Sequence, residues 1–296
     1  MASLFAWLYA PGFFLLFNGL AISLLHGRPQ AAWLLVPLLL LAILLSLLAE
    51  RWRPYEKQWN RDHGDSRRDV THAFVNESLN LFSIAAIPLV AALLPHFSAW
   101  PLHWPFFLQW LLAVVVADLG ITLMHWFSHR SAWLWRLHAV HHSVQRMYGL
   151  NGLMKHPLHQ AAEALAGTVP LLLLGMPVSV AAGLAFAIAI QLLLQHSNVD
   201  MRVGPLRKVF AWAPLHRFHH LKYGRAGDVN FGLFFTLWDR LLGTAFDSRY
   251  RVAGGDLGIG SEPDYPKGWR AQMLAPFRQR QRHPVPVLPQ GLRTEN

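Results

Sequence analysis

Histidine is the residue type through which this sequence can do chemistry. His125 and His129 stand four residues apart, His138, His141 and His142 follow in the order H-x-x-H-H, and His216, His219 and His220 repeat that order. On a helix, spacings of three and four place side chains on one face, a turn apart. Two such faces brought together make a cage of nitrogens. Neutral imidazole is the commonest metal ligand in proteins, and a histidine-rich set without thiolate suits iron or zinc. The three boxes hold eight imidazoles, more than one ion takes up, so two neighbouring ions are expected. Two irons with open positions could activate dioxygen against an unactivated C–H bond. Zinc on the same nitrogens would imply hydrolysis through a metal-bound water. A non-enzymatic metal-binding or transport protein would instead string its ligands along the crossing helices.

The chain that must position these residues has 296 residues, is 53% hydrophobic and only 14% charged, and carries 17 histidines against 16 acidic residues. Several apolar runs reach the roughly 20 residues that cross a hydrocarbon core. Residues 4–25 and 31–49 read as a helical hairpin, followed by a charged stretch over 50–73 that belongs in water or at the headgroups. Further spans are expected over 74–94 and 106–124, joined by an aromatic-rich interfacial link. Residues 161–195, broken by Pro170, Gly175 and Pro177, read as a short apolar hairpin, and the Pro- and Arg-rich tail as loosely ordered.

The expected fold is thus an all-α membrane protein. It has about four transmembrane helices, a short apolar helical hairpin and a cytoplasmic histidine-rich helical cap. Three parts follow: 1–105 with the first helices and a charged loop, 106–247 with the histidine boxes, and 248–296 as a cytoplasmic tail. With this topology Arg28 is the one basic residue of 26 on the face opposite the boxes. That is the positive-inside pattern, which accounts for a net charge of +10 without nucleic acid. The expected location is a bacterial inner membrane, with the site facing the cytoplasm. Cysteine is absent, which excludes disulfides, thiolate-bound zinc and an internal iron–sulfur cluster.

The three boxes, with Gln195-His196-Ser197-Asn198, Asn230-Phe231-Gly232 and Trp238-Asp239-Arg240-Leu241-Leu242-Gly243-Thr244, resemble the fatty acid hydroxylase superfamily, the sterol desaturase-like membrane di-iron oxygenases. Leu242 stands where the family's closing W-D-R-x-F-G-T signature usually has Phe. The resemblance covers roughly residues 110–247. It implies that His125, His129, His138, His141, His142, His216, His219 and His220 ligate a metal pair, with His196 as a further ligand. A position four residues after His196 is sometimes another histidine but is Asp200 here, a candidate ligand or neighbour of a ligand. His156-Pro157 resembles the family's H-P-x-E element, with His159 in place of Glu; His156 is a candidate ligand, a neighbour of a ligand or a helix-start marker.

The implied activity is hydroxylation of a lipid C–H bond with O2, two Fe ions and external electrons. A reductase, ferredoxin or cytochrome b5-like donor would supply these, and the substrate would enter by a tunnel from the membrane. Desaturation and a zinc-dependent lipid hydrolase remain alternatives.

Three further polar residues are expected to support the ligands. Asp118 lies seven residues before His125 inside a span, where an acid is costly and faces a polar interior. It is expected to accept the spare N–H of a ligand histidine. Asn230 and Asp239 invite the same reading, with a cap or turn role beside it. Glu77 and Asn80 face either a cavity or the water interface. His26, His63, His72, His96, His103 and His283 read as loop or interface histidines, and Trp133-Leu134-Trp135 as an amphipathic anchor.

Overall fold

A computed structural model describes residues 2–93, 97 and 99–292; His96 lies outside them. Among the described residues there are ten α-helices and no strand, only isolated antiparallel bridges such as Phe210 with Phe235. The helices are α1 (Ala2–Leu25), α2 (Leu35–Trp52), α3 (Ser66–Leu93), α4 (Phe106–Ser128), α5 (Ala132–His142), α6 (Pro157–Leu173), α7 (Val178–Gln195), α8 (Ala213–His219), α9 (Leu237–Leu242) and α10 (Trp269–Leu274).

Segments within α1, α3, α4 and α7, and α2 with the turn before it, are long and apolar enough to cross a membrane. Leu15, Leu40, Phe82, Leu89 and Phe107 all stand exposed on α1 to α4. Apolar faces of this extent belong against hydrocarbon, and helices satisfy their own backbone polar groups there. The protein is a multi-pass membrane protein.

Helix α7 runs up the middle, enclosed by α1, α2, α3 and α4. The approach of α4 to α6 depends on small residues: a Cβ on Gly120 would lie 2.2 Å from the Ala166 carbonyl oxygen, so only glycine lets the two backbones come this close. Trp110 on α4 donates its indole N–H to the Gly183 carbonyl on α7, 3.1 Å away.

Helices α6 and α7 form the expected hairpin. Both of its open ends lie with the histidines, and its turn sits at the opposite end, where Phe97 N–H meets the Leu173 carbonyl at 2.8 Å. The chain's start is tied to the histidine end by Arg202 N–H on the Ala6 carbonyl, also 2.8 Å.

Two expectations about charged segments are corrected. Helix α3 begins at Ser66, well before the expected span, and Asp65, Arg68, Asp69 and His72 are buried in protein rather than bathed in water. They can be buried because they satisfy one another. Arg146 clasps Asp65, Arg68 pairs with Asp69, and Tyr148 donates to Asp69 at 2.9 Å. Glu50 at the end of α2 likewise accepts from Gly149 N–H at 2.8 Å and from Asn198 N–H.

The tail is also more ordered than its composition suggests. Leu257, Ile259, Tyr265, Ala275 and Leu292 are buried, and Gln272 on α10 bonds His72 across 200 residues of sequence at 2.8 Å.

Candidate metal centre

Four helix ends bring the histidines together. His125 and His129 close α4, His138, His141 and His142 occupy the last turn of α5, and His196 caps α7. His216 and His219 lie on α8, with His220 as its cap. Helix α5 is started by Ser131, whose side chain accepts the Leu134 N–H. Prolines in the first turns of α6 and α8 begin those helices without wasting a backbone donor.

Nine rings gather in two adjacent buried groups. His125, His129, His138, His142 and His219 form one; His141, His196, His216 and His220 form the other; within each, one ring nitrogen per residue lies within 4.8 Å of all the others. A third set, His138 with His159 and Glu163, adjoins the first.

The Nε2 atoms converge: His125 to His219 at 2.8 Å, His129 to His142 at 3.2 Å, His142 to His138 at 3.0 Å, and His196 to His141, His216 and His220 at 3.2 Å each. The other ring nitrogens of five residues are anchored outward. Nδ1–H of His125 donates to the Phe231 carbonyl, His141 to Met154, His196 to Leu192 and His219 to Val229, at 2.9 to 3.1 Å. His129 uses the Asp228 carboxylate at 2.8 Å.

A carbonyl can only accept, so these rings carry their proton on Nδ1 and present a lone pair at Nε2. In the pairs His125–His219 and His141–His196, two lone pairs therefore face each other at hydrogen-bond distance with no proton between. Protonation is no remedy. Burial pushes His196 down to about 3, and holds His138, His141, His142, His216, His219 and His220 well below 6.5. Converging lone pairs of neutral imidazoles, five of the nine rings held from behind, are the donor set that a transition-metal cation requires. The residues fit a metal site.

The supporting residues act differently from expectation. Asp118 touches no histidine. It accepts from Phe234 N–H at 2.7 Å, Phe235 N–H at 3.0 Å and the Trp238 indole at 2.7 Å. These three donors engage both of its oxygens, and it pins the 234–238 segment to α4.

Asp239 and Asn230 reach the histidines through the backbone. Asp239 accepts the N–H groups of Phe231 and Gly232, and Asn230, in the left-handed region at φ 53°, binds Leu215 and Phe246. Together they fix a loop whose Val229 and Phe231 carbonyls hold His219 and His125. Gln195 adds a hydrogen bond to the Gly232 carbonyl. The carboxylate that does touch a box histidine is Asp228, which sequence reasoning missed because it has no fixed spacing from His129.

His156 is no candidate ligand in this arrangement. Its Nδ1 caps α6 by accepting the Leu158 N–H, and its Nε2 meets the Met273 carbonyl. Asp200 is exposed, belongs to neither group, and bonds Arg53 through its backbone. Trp133 is exposed as an anchor would be, but Trp135 packs its ring 5.0 Å from His129 and 5.3 Å from His142, covering the first group. Asn80 and Glu77 bond each other, and Asn80 accepts from Gln160, so they join α3 to α6.

A cleft of about 280 Å³ reaches His129, His142 and His219 from the polar side, lined among others by Lys222, Arg225 and Asp228.

The fatty acid hydroxylase family matches residues 110–244, the region that contains every ring of both groups. An ornithine lipid hydroxylase from Rhizobium tropici is 36% identical over 247 residues, covering 80% of this chain and 74% of that protein. An alkylglycerol monooxygenase from Danio rerio is 30% identical over 51% of this chain and 32% of its own length. A sphinganine C4-monooxygenase from Arabidopsis thaliana is 28% identical over 50% of this chain and 58% of its own length. No solved structure matches. With the first of these relatives covered over most of its length, the chain belongs to the fatty acid hydroxylase family and is a membrane oxidoreductase.

Proposed function

We propose that this protein hydroxylates a C–H bond of a membrane lipid with dioxygen, at two iron ions held by the nine grouped histidines. The observation that carries the reading is the division of nine inward-facing Nε2 atoms into two adjoining groups of five and four. One oxygen atom of O2 enters the C–H bond, the other leaves as water, and two electrons and two protons come from outside. Iron, when bound, supplies the reductive activation of dioxygen that an unactivated C–H bond demands. The chain contributes the rest. Outward Nδ1–H bonds hold each anchored ring in one orientation, and Trp135 with the surrounding apolar core limits the access of water. Electrons arrive from an external donor of the reductase, ferredoxin or cytochrome b5 kind.

The substrate we favour is an amino-acid-containing lipid. A relative similar over most of the chain is an ornithine lipid hydroxylase. In addition, the cleft offers Lys222 and Arg225 beside Asp228, charges of both signs for a zwitterionic headgroup. Such a headgroup would lie on the polar side with the attacked carbon near it, in place of a chain drawn up a tunnel from the membrane. Lys and Arg crowd the histidine end, which supports a cytoplasmic site in a bacterial inner membrane.

The test is mass spectrometry of lipid extracts from cells with and without the protein, beside a His141→Ala control, together with the metal content of anaerobically purified protein. A lipid one oxygen atom heavier, about two irons per chain, and loss of both in the control are expected. Tightly held zinc with lipid cleavage independent of dioxygen would overturn the reading.

A further inference from the structure

Behind the five-histidine group lies a buried cluster on α6. The ring of His159 sits 4.4 Å from that of His138, and Glu163, one turn further on, places Oε1 3.8 Å from Nδ1 of His159. A ring nitrogen of each histidine and a carboxylate oxygen of Glu163 lie within 4.8 Å of one another. Lys155 Nζ closes on the other carboxylate oxygen. That ammonium, and the use of His138 in the first group, leave no place for a third cation here.

The protons of this cluster can be assigned. Ser128 Oγ lies 2.7 Å from the Met124 carbonyl oxygen and 2.8 Å from Nε2 of His159. The carbonyl accepts, so the hydroxyl proton is committed to Met124, and His159 must donate its Nε2–H to Ser128. Nδ1 of neutral His159 is then a lone pair, facing a carboxylate that also only accepts. On the other side, His138 turns Nε2 into the five-histidine group, 3.0 Å from that of His142, and its Nδ1 is buried without a protein partner. With Nε2 directed at a metal, the ring proton of His138 sits on Nδ1. The cluster thus holds one acceptor short of a donor, Nδ1 of His159, beside one donor short of an acceptor, Nδ1–H of His138, with Oε1 of Glu163 facing them. Leaving such groups buried and unpaired is costly, and bringing them together relieves both.

We propose that His159 and Glu163 are positioning residues for His138: together they accept its Nδ1–H and so aim its Nε2 into the five-histidine group. This rests on that group being a metal site. Four of the nine rings are held by backbone carbonyls, whose position follows the fold, and His129 by a partly exposed acid. His138 is held by a buried side-chain pair that includes a carboxylate, which makes its imidazole a stronger donor. Helix α6 is thereby coupled to the metal centre through side chains alone.

Three variants test it in detergent-purified, metal-depleted protein. His159→Asn keeps an oxygen acceptor where Nδ1 stands, His159→Leu removes it, and Glu163→Gln keeps the shape but removes the charge. Anaerobic titration with Fe2+ reads affinity and stoichiometry, Mössbauer spectra read each iron's surroundings, and thermal unfolding of the metal-free protein controls for folding. His159→Leu and Glu163→Gln are expected to lose about 10–100-fold in affinity for one ion and to change its spectrum alone. His159→Asn should stay within a few-fold of wild type. If His159→Leu and Glu163→Gln bind both ions with wild-type affinity and spectra, the proposal fails. It fails equally if His159→Asn is as impaired as His159→Leu, because packing rather than hydrogen bonding would then be the cause. A wild-type protein that takes up no iron overturns the metal-site reading itself and this proposal with it.

Discussion

Asp239→Asn tests the chain of hydrogen bonds that carries order from the loop to the clustered histidines. Oδ1 of Asp239 accepts from Phe231 N–H and Thr244 Oγ1, each at 2.7 Å, and Oδ2 accepts from Gly232 N–H at 2.9 Å. Burial pushes this carboxyl above the usual carboxylate range, opposed by those three donors. No acceptor faces it, so the anion is the form the pocket fits. Asparagine matches its volume and leaves no cavity. Whichever way the amide turns, its NH2 meets a backbone N–H, so at least one buried donor loses its partner, at a cost of about 1–3 kcal/mol. The remaining contacts weaken from charge-assisted to neutral, for a total of about 2–4 kcal/mol.

The displacement passes directly to the metal centre, because the Phe231 carbonyl holds Nδ1 of His125 at 2.9 Å. Loss of such an orienting partner weakens metal binding by about 10–100-fold. The assay pairs unfolding of the detergent-solubilised protein with anaerobic metal titration, and the five-histidine group should be the one affected. A variant that unfolds and binds metal like wild type would refute the argument, because it would show that the loop holds its shape without Asp239.

Other predictions probe the remaining contacts. Gly152→Ala would drive a Cβ to 2.4 Å from the Leu192 carbonyl and 2.9 Å from Nδ1 of His196. Metal titration should show the four-histidine group weakened while the five-histidine group keeps its affinity. Asp228→Asn removes the acid behind His129 from a partly exposed position, so metal affinity should fall about tenfold with the unfolding temperature almost unchanged. Acid should release the metal. The cage histidines have folded values depressed below the roughly 6.5 of the unfolded chain, so their stabilisation is present above that pH and is lost as pH falls towards values such as the 3 of His196. Metal retained after buffer exchange, measured with circular dichroism between pH 7 and pH 4, should fall in a step steeper than one proton per ion. Full retention at the acid end of that range would contradict it.

Much of the site was legible in the chain because it is local. The spacings within His125–His129, His138–His142 and His216–His220 are helix spacings, and one face of one turn follows from 3.6 residues per turn whatever surrounds it. The apolar lengths of the spans are local in the same sense, as is the small-residue and Pro punctuation that turns α6 into α7. The helix start at Ser66 was obscured because its first turns carry charge, and charge reads as water until a partner is known. Arg146 and Tyr148, some eighty residues away, are what allow Asp65 and Asp69 to be buried.

The same division separates the imidazoles from their supports. Which residues can offer imidazole nitrogens, and that there are too many for one ion, is decided by the sequence. What holds each ring is decided by tertiary structure. The acceptors for His125, His129 and His141 are Phe231 O, Asp228 and Met154 O, and no periodicity connects a ring to a carbonyl 106 residues away. Asp118 shows this most clearly. Its position seven residues before His125 places it on the histidine face, yet the nearest donors in space are the backbone of Phe234 and Phe235 and the indole of Trp238, and these took it. His156 and His159 divided by the same rule. The one beside Pro157 was drawn into capping α6, whereas the one three residues on was turned by the helix towards His138, where a proton on Nδ1 needs an acceptor.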